Sequence, residues 1–117
     1  MENNNRRVVI TGMGIWSCLG TTLDEVKESL FNGKSGIIFS PERKEMGFES
    51  GLTASVKKPE LKGLVDRAHR VFMPEEAQYA YMSTVDALKM AKLDEDYIEK
   101  HDIGLLFGND SSADAVV

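Results

Sequence analysis

The chain of 117 residues is 42% hydrophobic and 28% charged, the balance of a folded soluble domain and not of a disordered segment. Its net charge of −5 argues against dedicated nucleic-acid binding, which needs a basic surplus to neutralise phosphates. A single cysteine excludes an internal disulfide, and no apolar run approaches the ~20 residues that cross a bilayer.

The polar start, Met1-Glu2-Asn3-Asn4-Asn5-Arg6-Arg7, lacks the apolar stretch and cleavage site of a signal peptide, so a cytoplasmic protein without a membrane partner is expected. Val8-Val9-Ile10-Thr11 then reads as a short strand buried on both faces, as in parallel sheets. Thr22 with Glu25 three residues on is a capping box and predicts a helix start. Leu23, Val26 and Leu30 would form the inward stripe of that helix, and Gly33 after Asn32 its stop. Ile37-Ile38-Phe39 is a brief extended segment. From position 40 to 63, Pro41, Gly47, Gly51 and Pro59 break the pattern, which predicts loops with one short strand near 52–56.

Pro74 suits the first turn of a helix, and Glu75 and Glu76 complement its dipole. Apolar positions at helical spacing carry that helix to about Lys92, and Ala80, Thr84, Ala87 and Ala91 form a narrow stripe that permits close approach of another element. Residues 94–100 read as a polar turn and Ile103-Gly104-Leu105-Leu106-Phe107 as a second buried strand. Residues 108–112 read as a tight turn before a helix that begins at Ala113. An apolar stripe that begins and is not continued, together with only two parallel strands, leads to the expectation of a larger α/β enzyme of which these residues are the opening part.

Gly12-Met13-Gly14 after a strand invites a dinucleotide reading, but Ser17 stands where the third glycine belongs, and no helix opens at once. Gly33-Lys34-Ser35 fails as a phosphate loop, because Glu28 stands at the position of its first glycine. A nucleophilic thiol needs a helix N-terminus or a cationic neighbour. Cys18 lies four residues ahead of the cap at Thr22, so it reads as a small half-buried loop residue; His69 and His101 read as solvated. Residues 57–70 carry Lys57, Lys58, Lys62, Arg67 and Arg70 against Glu60 and Asp66, a local charge of +3 in an acidic chain. Such a patch is either a solvated face or a docking surface for an acidic partner.

In order, Arg7-Val8-Val9-Ile10-Thr11-Gly12-Met13-Gly14-Ile15, Phe31-Asn32-Gly33-Lys34-Ser35-Gly36-Ile37, Leu64-Val65-Asp66-Arg67, Phe72-Met73 and Ile103-Gly104-Leu105-Leu106 resemble the opening of the β-ketoacyl-acyl-carrier-protein synthases. The resemblance implies an α/β thiolase-like fold, five-layered α-β-α-β-α in the full enzyme and homodimeric. Residues 1–117 would be the first part of its N-terminal half, with 40–73 an inserted capping segment. It implies decarboxylating Claisen condensation of an acyl-enzyme with malonyl carrier protein in fatty-acid elongation, with no cofactor and no metal. The family's cysteine and two histidines do not map to Cys18, His69 or His101. What the resemblance places within this chain is carrier-protein docking, at Lys62, Arg67 and Arg70, and an acyl-pocket residue, Ser111. Relatives often carry basic residues at the positions of Ala68 and Val71. Two other readings remain open here: a non-catalytic module that docks carrier protein, and a relative of the chain-length-factor type.

Overall fold

The computed structural model describes residues 7–109. Helix α1 spans Leu23–Phe31, and its start follows from the capping box: the Glu25 amide donates to the Thr22 hydroxyl at 3.2 Å, and the Thr22 amide donates back to the Glu25 carboxylate at 3.2 Å. Its end is a Schellman motif. Gly33 takes φ +62°, its amide reaches the Leu30 carbonyl at 3.1 Å, and the Lys34 amide reaches the Ser29 carbonyl at 2.8 Å. The inward face differs from expectation at one position. Val26 and Ser29 are buried and Leu30 is exposed; the Ser29 hydroxyl is satisfied by the Leu19 carbonyl at 2.8 Å, which lets a polar side chain occupy that face.

The segment read as loops carries more structure than its composition implied. Strand β1, Ile37–Phe39, pairs antiparallel with β2, Leu52–Ala54, in the register Ile37 to Ala54, Ile38 to Thr53 and Phe39 to Leu52. Between them lies a helix the sequence reading missed, α2, Pro41–Glu45. Ser40 caps it through the Arg43 amide and Pro41 opens it, an N-terminal signature that a short charged segment masks. The Arg43 guanidinium lies 4.3 Å from the centroid of the Phe48 ring. Helix α3 is the single turn Arg67–Arg70.

Helix α4, Glu75–Ala91, follows Pro74 as predicted and ends on Lys92 in the left-handed conformation, φ 58°. The segment read as a polar turn is a further short helix, α5, Glu95–Lys100, capped by Asp94 through the Tyr97 amide at 2.9 Å. Its last turn holds the Lys100 ammonium 2.6 Å from the Asp96 carboxylate.

The two expected strands at 8–11 and 103–107 form no ladder among the described residues and are exposed: Ile10 is 84% and Leu106 97% accessible. A strand buried on both faces needs neighbours to complete its ladder, and the described residues supply none. The helix expected from Ala113 lies outside the described residues. Among those described, Val26 and Leu61 are the buried aliphatic side chains. The Cα radius of gyration is 18.4 Å, where a compact chain of this length would have about 13 Å. No described helix is long and apolar enough to cross a membrane.

Candidate functional site

Helix α4 organises the chain. The segment through Gly12 and Gly14 lies against it so closely that a β-carbon at Gly12 would meet the Ala87 carbonyl oxygen at 2.1 Å, and one at Gly14 the Ser83 carbonyl oxygen at 1.8 Å. These glycines are there for helix contact, which explains their spacing without a nucleotide. The Met13 amide adds a contact to the Met90 sulfur at 3.4 Å. Half of the small-residue stripe, Ala87 and Ala91, is thus spent on Gly12.

The other half of the stripe faces a groove of about 450 Å³, between the first turns of α4 and the segment 105–109. Met73, Ala77, Ala80, Tyr81, Leu105 and Phe107 are its principal walls. Two hydroxyls in its lining are already engaged: the Thr84 hydroxyl donates to the Ala80 carbonyl at 2.8 Å, and the Tyr81 hydroxyl reaches the Leu64 carbonyl at 3.4 Å. Apart from Glu76 and Asn109, the remaining lining is an apolar surface of ligand size, suited to a hydrocarbon chain. Ser111, the acyl-pocket candidate, lies outside the described residues; Gly108 and Asn109 are among the residues that line this groove.

The basic segment is built on a turn rooted at the buried Leu61, whose carbonyl accepts from the Leu64 and Val65 amides, both at 3.1 Å; Gly63 at φ +87° makes the turn possible. Lys62 sits exposed on that turn. Arg67 and Arg70 open and close α3 and line one polar groove of about 310 Å³ with Gly63, Leu64, Val65 and Asp66. Arg67 is exposed, whereas Arg70 is half-buried, and its Nε is shielded from solvent without an acceptor. Among the described residues none of the three cations is in an ion pair. The structure therefore brings Arg67 and Arg70 together, with Lys62 beside their groove. Tyr81 connects this segment to the apolar groove, a link that spacing alone did not reveal.

Cys18 sits in the tight turn closed by mutual amide contacts of Ser17 and Gly20, at 3.0 and 3.3 Å, and its sulfur presses on Gly36, where a β-carbon would stand 2.5 Å away. It is Gly20, at the far side of that turn, and not Cys18 that lies against the first turn of α1, where a β-carbon would stand 2.5 Å from the Glu25 β-carbon. His69 is exposed on α3, and His101 is exposed and stacked on Tyr97 at 3.9 Å, its Nδ1 2.8 Å from the Tyr97 carbonyl. Among the described residues no group of three His, Cys, Asp or Glu side chains is placed to hold a metal.

Sequence comparison supplies the family to which this arrangement belongs. Residues 5–116 match the family described as beta-ketoacyl synthase, N-terminal domain, and the chain belongs to that family. It is 37% identical over 108 residues to 3-oxoacyl-[acyl-carrier-protein] synthase 1 of Buchnera aphidicola (subsp. Acyrthosiphon pisum), covering 92% of this chain and 26% of that protein. The proteins of the same name from Haemophilus influenzae and Escherichia coli K12 are 41% identical over 103 residues and 40% over 105, covering 88% and 89% of this chain and 25% and 26% of theirs. The chain spans about a quarter of the length of these relatives.

Proposed function

We propose that the protein works as a β-ketoacyl-acyl-carrier-protein synthase of fatty-acid elongation, and that residues 7–109 serve carrier docking and acyl-chain accommodation rather than bond making. The observation that carries this is the family match across 5–116 together with identities near 40% to proteins named 3-oxoacyl-[acyl-carrier-protein] synthase 1. In this reaction an enzyme thiolate holds the acyl group as a thioester. Malonyl carrier protein loses carbon dioxide, and the carbanion so formed attacks the thioester carbonyl. A carbon–carbon bond forms, the carbon–sulfur bond breaks, and the thiolate is regenerated.

Cys18 is not that thiolate. It has neither a helix N-terminus nor a paired imidazole, the two devices that would activate it. The contribution of the described residues is recognition. Arg67 and Arg70, with Lys62 beside them, are cations in no ion pair among the described residues, on one groove of a chain whose net charge is −5. Their field favours an acidic protein and orients its approach. The apolar groove along α4 supports the acyl reading, and the assignment of Ser111 to the acyl pocket rests on the family resemblance. The five-layered architecture, the homodimer, the role of 40–73 as a capping segment and a cytoplasmic location belong to the same proposal.

Titration with acyl carrier protein at low and high ionic strength tests the docking surface. Binding is expected to weaken with salt and to fall at least tenfold in an Arg67→Glu, Arg70→Glu variant. Salt-independent binding, or no binding by the unmodified chain, would overturn the assignment.

A further inference from the structure

Trp16, the single tryptophan of the chain, stands between the segment laid on α4 and the turn that holds Cys18. Its indole N–H donates to the Lys57 carbonyl at 2.6 Å, across 41 positions of sequence. An indole has one donor and no acceptor, so this contact fixes the ring against one carbonyl. Lys57 is also where the basic run begins. Seven residues further on, the Leu64 carbonyl accepts from the Tyr81 hydroxyl at 3.4 Å. Between the two points Leu61 is buried, while the Lys58 and Lys62 side chains are exposed. The backbone of the run is therefore held at carbonyls by aromatic donors from elsewhere in the chain, and its ammonium groups are left outward.

We propose that Trp16 is a positioning residue for carrier-protein docking. Its indole pins the entry of the basic run to the segment that lies on α4, so that the cations form a fixed array referenced to the helix that also walls the apolar groove. This rests on the docking reading above and adds a residue that carries no charge and does not belong to the basic run. A preorganised array loses less conformational freedom on binding than a free loop of lysines, which is how a neutral side chain raises affinity for a charged partner. It also separates two quantities. The number of cations sets the ionic-strength dependence, and the tether sets only the affinity at a given ionic strength.

The test compares Trp16→Phe and Lys57→Ala with the unmodified chain, by amide hydrogen exchange and by titration with acyl carrier protein at two ionic strengths. Trp16→Phe is expected to speed exchange across 58–64 and to weaken binding roughly two- to tenfold, the net worth of one hydrogen bond, with the salt dependence unchanged. Lys57→Ala keeps the carbonyl acceptor, so native exchange with a shallower salt dependence is expected. If the unmodified chain binds and Trp16→Phe binds and exchanges as it does, the positioning role falls alone. If the unmodified chain does not bind, the docking reading falls and takes this role with it. Should Trp16→Phe lose protection in α4 as well, the unmodified chain decides: carrier binding is expected to shift the emission of its only tryptophan, and an unchanged emission at saturation overturns the proposal.

Discussion

A β-carbon added at Gly12 would stand 2.1 Å from the carbonyl oxygen of Ala87, inside the van der Waals surface of helix α4. Backbone on both sides leaves no side chain to rotate away, so the glycine segment or the helix must move. Gly12→Ala is expected to cost about 1–3 kcal/mol, the usual range for overpacking, and Gly14→Ala a similar amount against Ser83. Gly104 is the control, because a β-carbon there meets nothing within 4 Å. Denaturant midpoints of the three variants decide the point: if Gly12→Ala melts like Gly104→Ala, the close contact is not a feature of the folded chain.

The cap of α1 yields a pH-dependent prediction. Donation from the Thr21 backbone amide, at 2.7 Å, is the foremost cause that holds the Glu25 carboxyl below its ordinary value, against a smaller opposing effect of desolvation; the Thr21 hydroxyl and the Thr22 amide lower it further. A carboxyl lowered on folding contributes stability that is present above its unfolded value, and this is lost as pH falls through the folded one. Acidification below the ordinary carboxylate range should therefore loosen α1, and Glu25→Gln should abolish that part of the pH dependence. Thr22→Ala removes the other half of the box and should cost about 1 kcal/mol at neutral pH. Helix content followed by circular dichroism through the acid range checks both; an unchanged acid profile in Glu25→Gln would count against the box.

At the other end of the chain's charge range, Tyr79 lies one turn along α4 from Glu75. Burial pushes its phenol above the ordinary tyrosine value, and the Glu75 carboxylate, then Glu76, push it further, since a second negative charge there is unwelcome. Glu75→Gln should bring the tyrosinate transition down in pH, as read by ultraviolet absorbance difference against a Tyr79→Phe reference. A raised folded value means that any stability this group contributes is present below the unfolded value and lost as pH rises through the folded one. An unmoved transition would place the carboxylate too far from the phenol to matter.

What the sequence disclosed of this fold follows the range of the interactions involved. The Thr22 and Glu25 box, the Gly33 stop and the Pro74 start are satisfied within four or five residues, so they are legible in a single sequence. Helix α5 obeys the same logic through Asp94, yet its polar composition hid it, because six residues offer no apolar period to count. The segments 8–11 and 103–107 failed for the opposite reason. Their β-branched and apolar residues have strand propensity, but a ladder needs a partner, and propensity does not supply one. In the candidate site, Arg67 and Arg70 were legible from a spacing of three, which one helical turn converts into a shared groove. The Trp16 and Tyr81 contacts were not, since each joins positions far apart in sequence through a backbone carbonyl that has no signature of its own.

The apolar groove makes the last prediction. Ala80 and Thr84 lie one turn apart on the face of α4 that looks toward Leu105 and Phe107, and the Thr84 hydroxyl is turned back onto the Ala80 carbonyl at 2.8 Å. Because that hydroxyl is already satisfied within the helix, Thr84→Val should keep or modestly raise the affinity for a medium-chain acyl probe, by less than about 1 kcal/mol. Ala80→Phe acts in the opposite direction. It adds an aromatic ring to a space of about 450 Å³, on a surface that has room for it, so the helix should tolerate the change while the probe loses most of its site. Displacement of a fluorescent fatty-acyl probe, followed alongside helix content, separates occupancy from unfolding. Undiminished binding by a folded Ala80→Phe variant would move the acyl chain away from α4.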